Sequence, residues 1–169
     1  MYAKLLARDA AISAAVVFLW QLGARFSAGA GALADFTGVV LGALLGALTL
    51  PVHEWGHLAG AAATRSAITP AASLRKLFVF SFDSKHNSQR QFLAMTVGGW
   101  IGTAASVAVA YALLPSELLA TRVARGMVLV SVALVVVTEI PLVARALWTG
   151  RIPPIETRRE PPEAERAAA

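Results

Sequence analysis

Four long apolar stretches run through the chain, separated by short segments that are small, polar or basic. The first extends from about Leu5 to Phe26, behind a basic start carrying Lys4 and Arg8. The second extends from about Phe36 to Thr64 and holds no charge from Phe36 to Val52. The third spans about Gln91 to Leu114, and the fourth about Ala124 to Trp148, uncharged from Gly126 to Thr138. About 20 apolar residues in a helix cross a hydrocarbon layer about 30 Å thick, and every stretch reaches that length. The pattern predicts an all-α polytopic membrane protein. Its four transmembrane helices fall at about 5–26, 36–64, 91–114 and 124–148, within one membrane-embedded domain covering residues 1–150. The first stretch also has the outline of a cleavable signal peptide, with small residues from Ser27 to Ala32. Gln21 to Phe26 makes a poor cleavage region, which favours a retained helix.

The connections add an orientation. Residues 27–35 are small and Gly-rich, and Asp35, or else Thr37, is the expected N-cap of the second helix. Residues 65–90 carry Arg65, Arg75, Lys76, Lys85 and Arg90 against a lone Asp83, so this loop is expected on the cytoplasmic side. With four spans, both termini then lie in the cytoplasm, as expected for a multi-pass protein of the cell membrane. Within the loop, Leu77–Phe82 has the composition of a short strand, and Ile68–Pro70 could pair with it as a small β-hairpin. The tail, residues 151–169, mixes prolines with alternating charges and is expected to be disordered and cytoplasmic.

Composition sharpens this picture. Apolar residues make up 57% and charged residues 15% of the 169, against roughly 45–50% and roughly 25% in soluble domains. The net charge of +5 gathers at the ends of apolar runs, which fits a lipid bilayer as the partner and not nucleic acid. There is no cysteine, so thiolate metal sites and disulfides are excluded.

Candidate chemistry concentrates at His53-Glu54-Trp55-Gly56-His57, an H-E-x-x-H pattern. On a helix, residues four apart share a face, so both imidazoles can reach one ion while Glu54 is offset to handle a proton. Gly42, Gly46, His53, His57 and Gly60 fall in one narrow sector, which predicts that the ligand face is also a close-packing face. Pro51 should bend or loosen the helix just before the motif. Zinc requires a third protein ligand, with Glu139, Glu117, Asp83, His86 and Asp35 as candidates. Counting at 1.5 Å per residue puts the two histidines roughly 10–16 Å, and Glu139 roughly 12 Å, inside the same membrane edge. Glu117 and Asp35 belong to the opposite edge. Glu139 is therefore the favoured third ligand; the other reading of it is a protonated carboxyl, or a partner for Arg145. Gly98, Gly99 and Gly102 lie at similar depth on the third helix, where they could make room for a substrate or simply pack helices closely.

The His53–His57 motif at the cytoplasmic end of a spanning helix, the basic loop after it, the Gln91–Gly102 segment and a carboxylate on the following helix resemble the site-2 protease family of intramembrane zinc metalloproteases. The resemblance covers about residues 36–148, a three-helix core to which the first helix is an addition. It implies Zn2+ held by His53 and His57, and Glu54 as the catalytic acid/base. It also implies substrates that are membrane-spanning or membrane-anchored proteins. Two motifs depart from the family. Glu139-Ile140-Pro141 stands where an Asp-Gly pair is usual, and Gly99-Trp100-Ile101-Gly102-Thr103 lacks the proline and asparagine of a Gly-Pro-x-x-Asn element. The expected site is thus His53, His57 and Glu139 on the metal and Glu54 as catalyst, with Phe78, Val79, Phe80, Gly98 and Gly99 against the substrate. A non-proteolytic metal-binding or scaffold relative is the alternative, and a metal transporter is disfavoured by the scarcity of polar residues in the spans.

Overall fold

The computed structural model describes residues 1–154. It is mostly helical. Four helical stretches are long and apolar enough to cross a membrane: Tyr2–Gly23, Ala32–Ala63, Gln89–Ala112 and Leu119–Thr149. No more than 33% of the residues in the most apolar part of any of them are buried, and Leu33, Phe36, Ile101 and Val137 are over 60% exposed. Apolar side chains on the outside of a bundle are what a lipid environment selects, and the four helices fit a multi-pass membrane protein.

Helix α1 covers Tyr2–Gly23 and is followed by one 3-10 turn at Phe26–Ala28. The second stretch is two consecutive helices, α2 (Ala32–Ala47) and α3 (Thr49–Ala63), separated by a turn at Leu48. The cause lies three residues further on. Pro51 has no N–H to offer the carbonyl of Ala47, and the Leu48 N–H turns back to Leu45 O at 3.2 Å, an i−3 bond. α2 begins at the Gly31 N-cap, so Asp35 sits in the first turn instead of capping it, and Thr37 Oγ1 bonds back to Leu33 O. Gly31 wins the cap because its φ of 111° is open to glycine and strained for any other residue.

The break re-aims the chain. Gly38, Gly42 and Gly46 of α2 press against Leu119, Ala120, Ala124 and Met127 of α5 (Leu119–Thr149), in ascending order along both helices, so these two run parallel. Gly56 and Gly60 of α3 instead meet Gly98 and Ala94 of α4 (Gln89–Ala112), in descending order and therefore antiparallel. The expected single face of Gly42, Gly46, His53, His57 and Gly60 is thus divided between two partner helices. Only its α3 part packs where the ligands are.

Between α3 and α4, β1 (Ile68–Pro70) and β2 (Phe80–Phe82) form an antiparallel pair in the register Ile68 to Phe82. β2 occupies only the end of the expected Leu77–Phe82 strand. Val79, Phe80 and Phe82 bury against Leu5 of α1, Ala61 of α3, and Phe92 and Met95 of α4. α4 opens with a capping box: Ser88 Oγ accepts from Gln91 N at 3.3 Å, and Ser88 N donates to Gln91 Oε1 at 2.8 Å. The same Gln91 side chain donates to Thr64 O at 3.1 Å, tying the start of α4 to the end of α3. The hairpin, the start of α1 and the end of α5 lie at one end of the bundle, where Gln89 Nε2 donates to Ala146 O at 2.9 Å. The tail beyond residue 154 lies outside the described residues.

Candidate metal centre

The i, i+4 spacing on α3 brings the two imidazoles edge to face, with ring centroids 4.3 Å apart and planes at 78°. His53 Nε2 and His57 Nε2 are 2.8 Å apart. From α5, Glu139 Oε1 comes to 2.8 Å from His53 Nε2 and 3.4 Å from His57 Nε2. The three residues form a group that could hold a metal ion. Bonds of about 2 Å at tetrahedral angles set ligand atoms about 3.3 Å apart. The observed separations lie within about 0.5 Å of that value.

What decides the chemistry is the other side of each ring. His53 Nδ1 lies 3.0 Å from Gly99 O and 2.8 Å from Thr103 Oγ1, and His57 Nδ1 lies 2.9 Å from Met95 O. A carbonyl can only accept, so each Nδ1 must carry its ring's proton. Both Nε2 lone pairs are then aimed at each other and at a carboxylate oxygen. One proton can bridge two of these atoms; three acceptors converging on one point match a metal ion. Glu139 has its remaining oxygen occupied as well, since Trp100 Nε1 donates to Oε2 at 2.9 Å. Every ligand is oriented from α4, the arrangement by which outer partners fix tautomer and direction at metal sites.

The glycines of α4 explain how it comes so near. A methyl group on Gly98 would collide with the carbonyl of Gly56, and one on Gly99 with the ring of His57. Gly98 therefore serves contact between backbones, and Gly99 offers its carbonyl to His53. Neither lines the cavity where substrate binding was expected. That cavity, about 400 Å³, opens beside the metal group and is bounded by Glu54, His57 and Glu139. Its apolar wall includes Phe78, Phe80, Phe82, Phe92, Met95 and Leu142. Phe78 and Phe80, both expected against a substrate, do line this cavity. Val79, the residue between them, is fully buried and its side chain belongs to the core. Its backbone instead lies beside the Glu54 carboxylate.

The other candidates for third ligand are accounted for elsewhere. Asp83 Oδ2 bonds His86 Nδ1 at 2.7 Å, and Asp83 Oδ1 accepts from the amides of Lys85 and His86. The His86 bond, followed by the Lys85 amide, holds the Asp83 carboxyl below its ordinary range. Asp35 is in the first turn of α2, and Glu117 lies in the α4–α5 connection beside Ser116. Thr103, Met95 and Trp100 were not singled out as parts of the site by the sequence. The usable signal was their spacing from Gly99, at one helical turn on either side or directly adjacent. No family model matches the chain, and no curated protein or solved structure matches it either, so what the centre can do is read from its own geometry.

Proposed function

We propose that the protein is an intramembrane zinc metalloprotease of the site-2 protease type, with α2–α3, α4 and α5 as its three-helix core. The observation that carries this reading is the convergence of His53 Nε2, His57 Nε2 and Glu139 Oε1, each locked from behind, beside a cavity that also receives Glu54. A His-His-carboxylate set without sulfur suits zinc in a hydrolytic site. When bound, zinc supplies Lewis-acid activation of water and of the scissile carbonyl. Glu54 takes the proton of the attacking water and delivers it to the leaving amine nitrogen. Phe78 and Phe80 supply an apolar wall for the side chains of a membrane-spanning or membrane-anchored protein substrate. β2, beside that wall, can hold its unwound backbone extended. The basic loop and basic amino terminus favour a cytoplasmic position for the site and for both termini.

One observation favours a second reading, a metal-binding scaffold without proteolysis. Glu139 is followed by Ile140 and Pro141 where the resembled family carries Asp-Gly, so the carboxylate reaches the histidines on a longer side chain. Replacing Glu54 by Gln separates the two. The proteolytic reading expects E54Q to retain one bound zinc and to lose cleavage of a membrane-anchored reporter. A variant that functions like the wild type excludes Glu54 as the proton carrier and supports the scaffold.

A further inference from the structure

Helix α1 contributes no residue to the metal group or to the wall of the cavity beside it. Its second turn nevertheless carries a charged pair that reaches both α3 and the β1–β2 loop. Asp9 is only 8% exposed. Its Oδ1 accepts from Arg8 Nε at 2.7 Å, and its Oδ2 accepts from Trp55 Nε1 at 2.8 Å. Trp55 is the residue after Glu54, between the two histidines. Arg8 Nη1 also donates to Leu74 O at 2.6 Å and to Lys76 O at 2.7 Å, in the segment between β1 and β2. Three residues beyond Lys76, the Val79 backbone meets Glu54. Leu5, one turn earlier on α1, is fully buried in the same core as Val79 and Phe80.

A carboxylate within an apolar helix must be paired, and Arg8 alone would satisfy that need. Here the guanidinium is divided among a carboxylate and two carbonyls, and the carboxylate between a guanidinium and an indole. The rigid fork of arginine suits such a division, because its donors point in fixed and different directions. We propose that Arg8 and Asp9 form a positioning bracket that seats the β1–β2 loop against the Glu54 side of the motif helix. The seating stands on the contacts themselves; its consequence for cleavage rests on the proteolytic reading.

The test uses the absence of native cysteine. Spin labels are attached to the full-length chain in lipid nanodiscs at Leu77→Cys, 82% exposed in the loop, and Ala63→Cys at the end of α3. A control pair sits at Ile101→Cys on α4 and Val137→Cys on α5. In Arg8→Gln the loop distance distribution roughly doubles in width while the control pair keeps its own, and Arg8→Lys falls between, since an ammonium lacks the fork. An unchanged loop distribution in Arg8→Gln overturns the proposal, and so does equal broadening at both pairs, which marks general loosening. In a cleavage assay Arg8→Gln raises KM roughly tenfold with bound zinc unchanged. A wild-type protein that binds no zinc or cuts nothing removes the proteolytic reading, and the label distances still decide the bracket.

Discussion

Glu139 shows how much of the candidate metal site depends on groups that would never touch the metal. Its Oε1 faces the histidines because Trp100 holds Oε2 at 2.9 Å. Trp100→Phe keeps the ring and removes only the donor, so the carboxylate is free to rotate. Zinc affinity should fall about 10–100-fold, the usual cost of losing such a partner, and competition with a chromogenic chelator measures it. Thr103→Val tests the same idea more gently, because Gly99 O still holds His53 Nδ1 at 3.0 Å. A smaller loss is expected than for Trp100→Phe, read in the same titration. Equal losses from the two would mean that the hydroxyl, not the carbonyl, sets the tautomer of His53.

At the scale of elements, the α3–α4 contact is what lets backbone atoms of one helix serve side chains of the other. Gly56 and Gly98 face each other with no room for a Cβ. Gly98→Ala should cost about 1–3 kcal/mol, as overpacking does, and should reduce zinc binding because Gly99 O and Met95 O withdraw with the helix. Gly126, on α5, has nothing within 4 Å of the position its Cβ would take. Gly126→Ala is therefore tolerated, gaining up to about 1 kcal/mol from helix propensity. Thermal unfolding in one detergent, with zinc content measured alongside, compares the pair. The helix spans and the hairpin partners were legible in advance, since apolar length and strand composition are local properties. The capping box at Ser88 was not read from the sequence, although Ser88-Gln89-Arg90-Gln91 has its spacing, and it moves the start of α4 ahead of the expected Gln91. The division of the glycine face was not legible. A kink of a few residues turns α2 and α3 to different partners, and periodicity counted along an unbroken helix carries no information about it.

For the whole molecule, the four spans place the hairpin and the α4–α5 connection at opposite ends of the bundle. Single cysteines at Leu77 and at Glu117 should react with an impermeant maleimide from opposite faces of sealed vesicles. Labelling of both from the same face contradicts the four-span arrangement, and labelling of Leu77 only from outside contradicts the cytoplasmic position proposed for the site. The bundle also explains the place of α1. Its outer surface is apolar and exposed, with Phe18 and Leu22 59% and 63% open, while its first turns enter the core with Leu5. α1 packs on α2, where Gly23 meets Leu41, and its first turns add the contacts to the hairpin loop and to Trp55.

The sequence by itself determined the four apolar spans, the shared face of His53 and His57, and the depth at which a carboxylate could join them. Each of these follows from counting residues along one helix, where rise and period are set by the backbone alone. Only the tertiary structure decided that Glu139 reaches both rings, that α4 supplies Gly99 O, Thr103, Met95 O and Trp100 behind the ligands, and that Val79 turns its backbone to Glu54. Those contacts join residues far apart in the chain. They depend on which glycine faces meet, and that choice is made by close packing between helices, not by the pattern within any one of them.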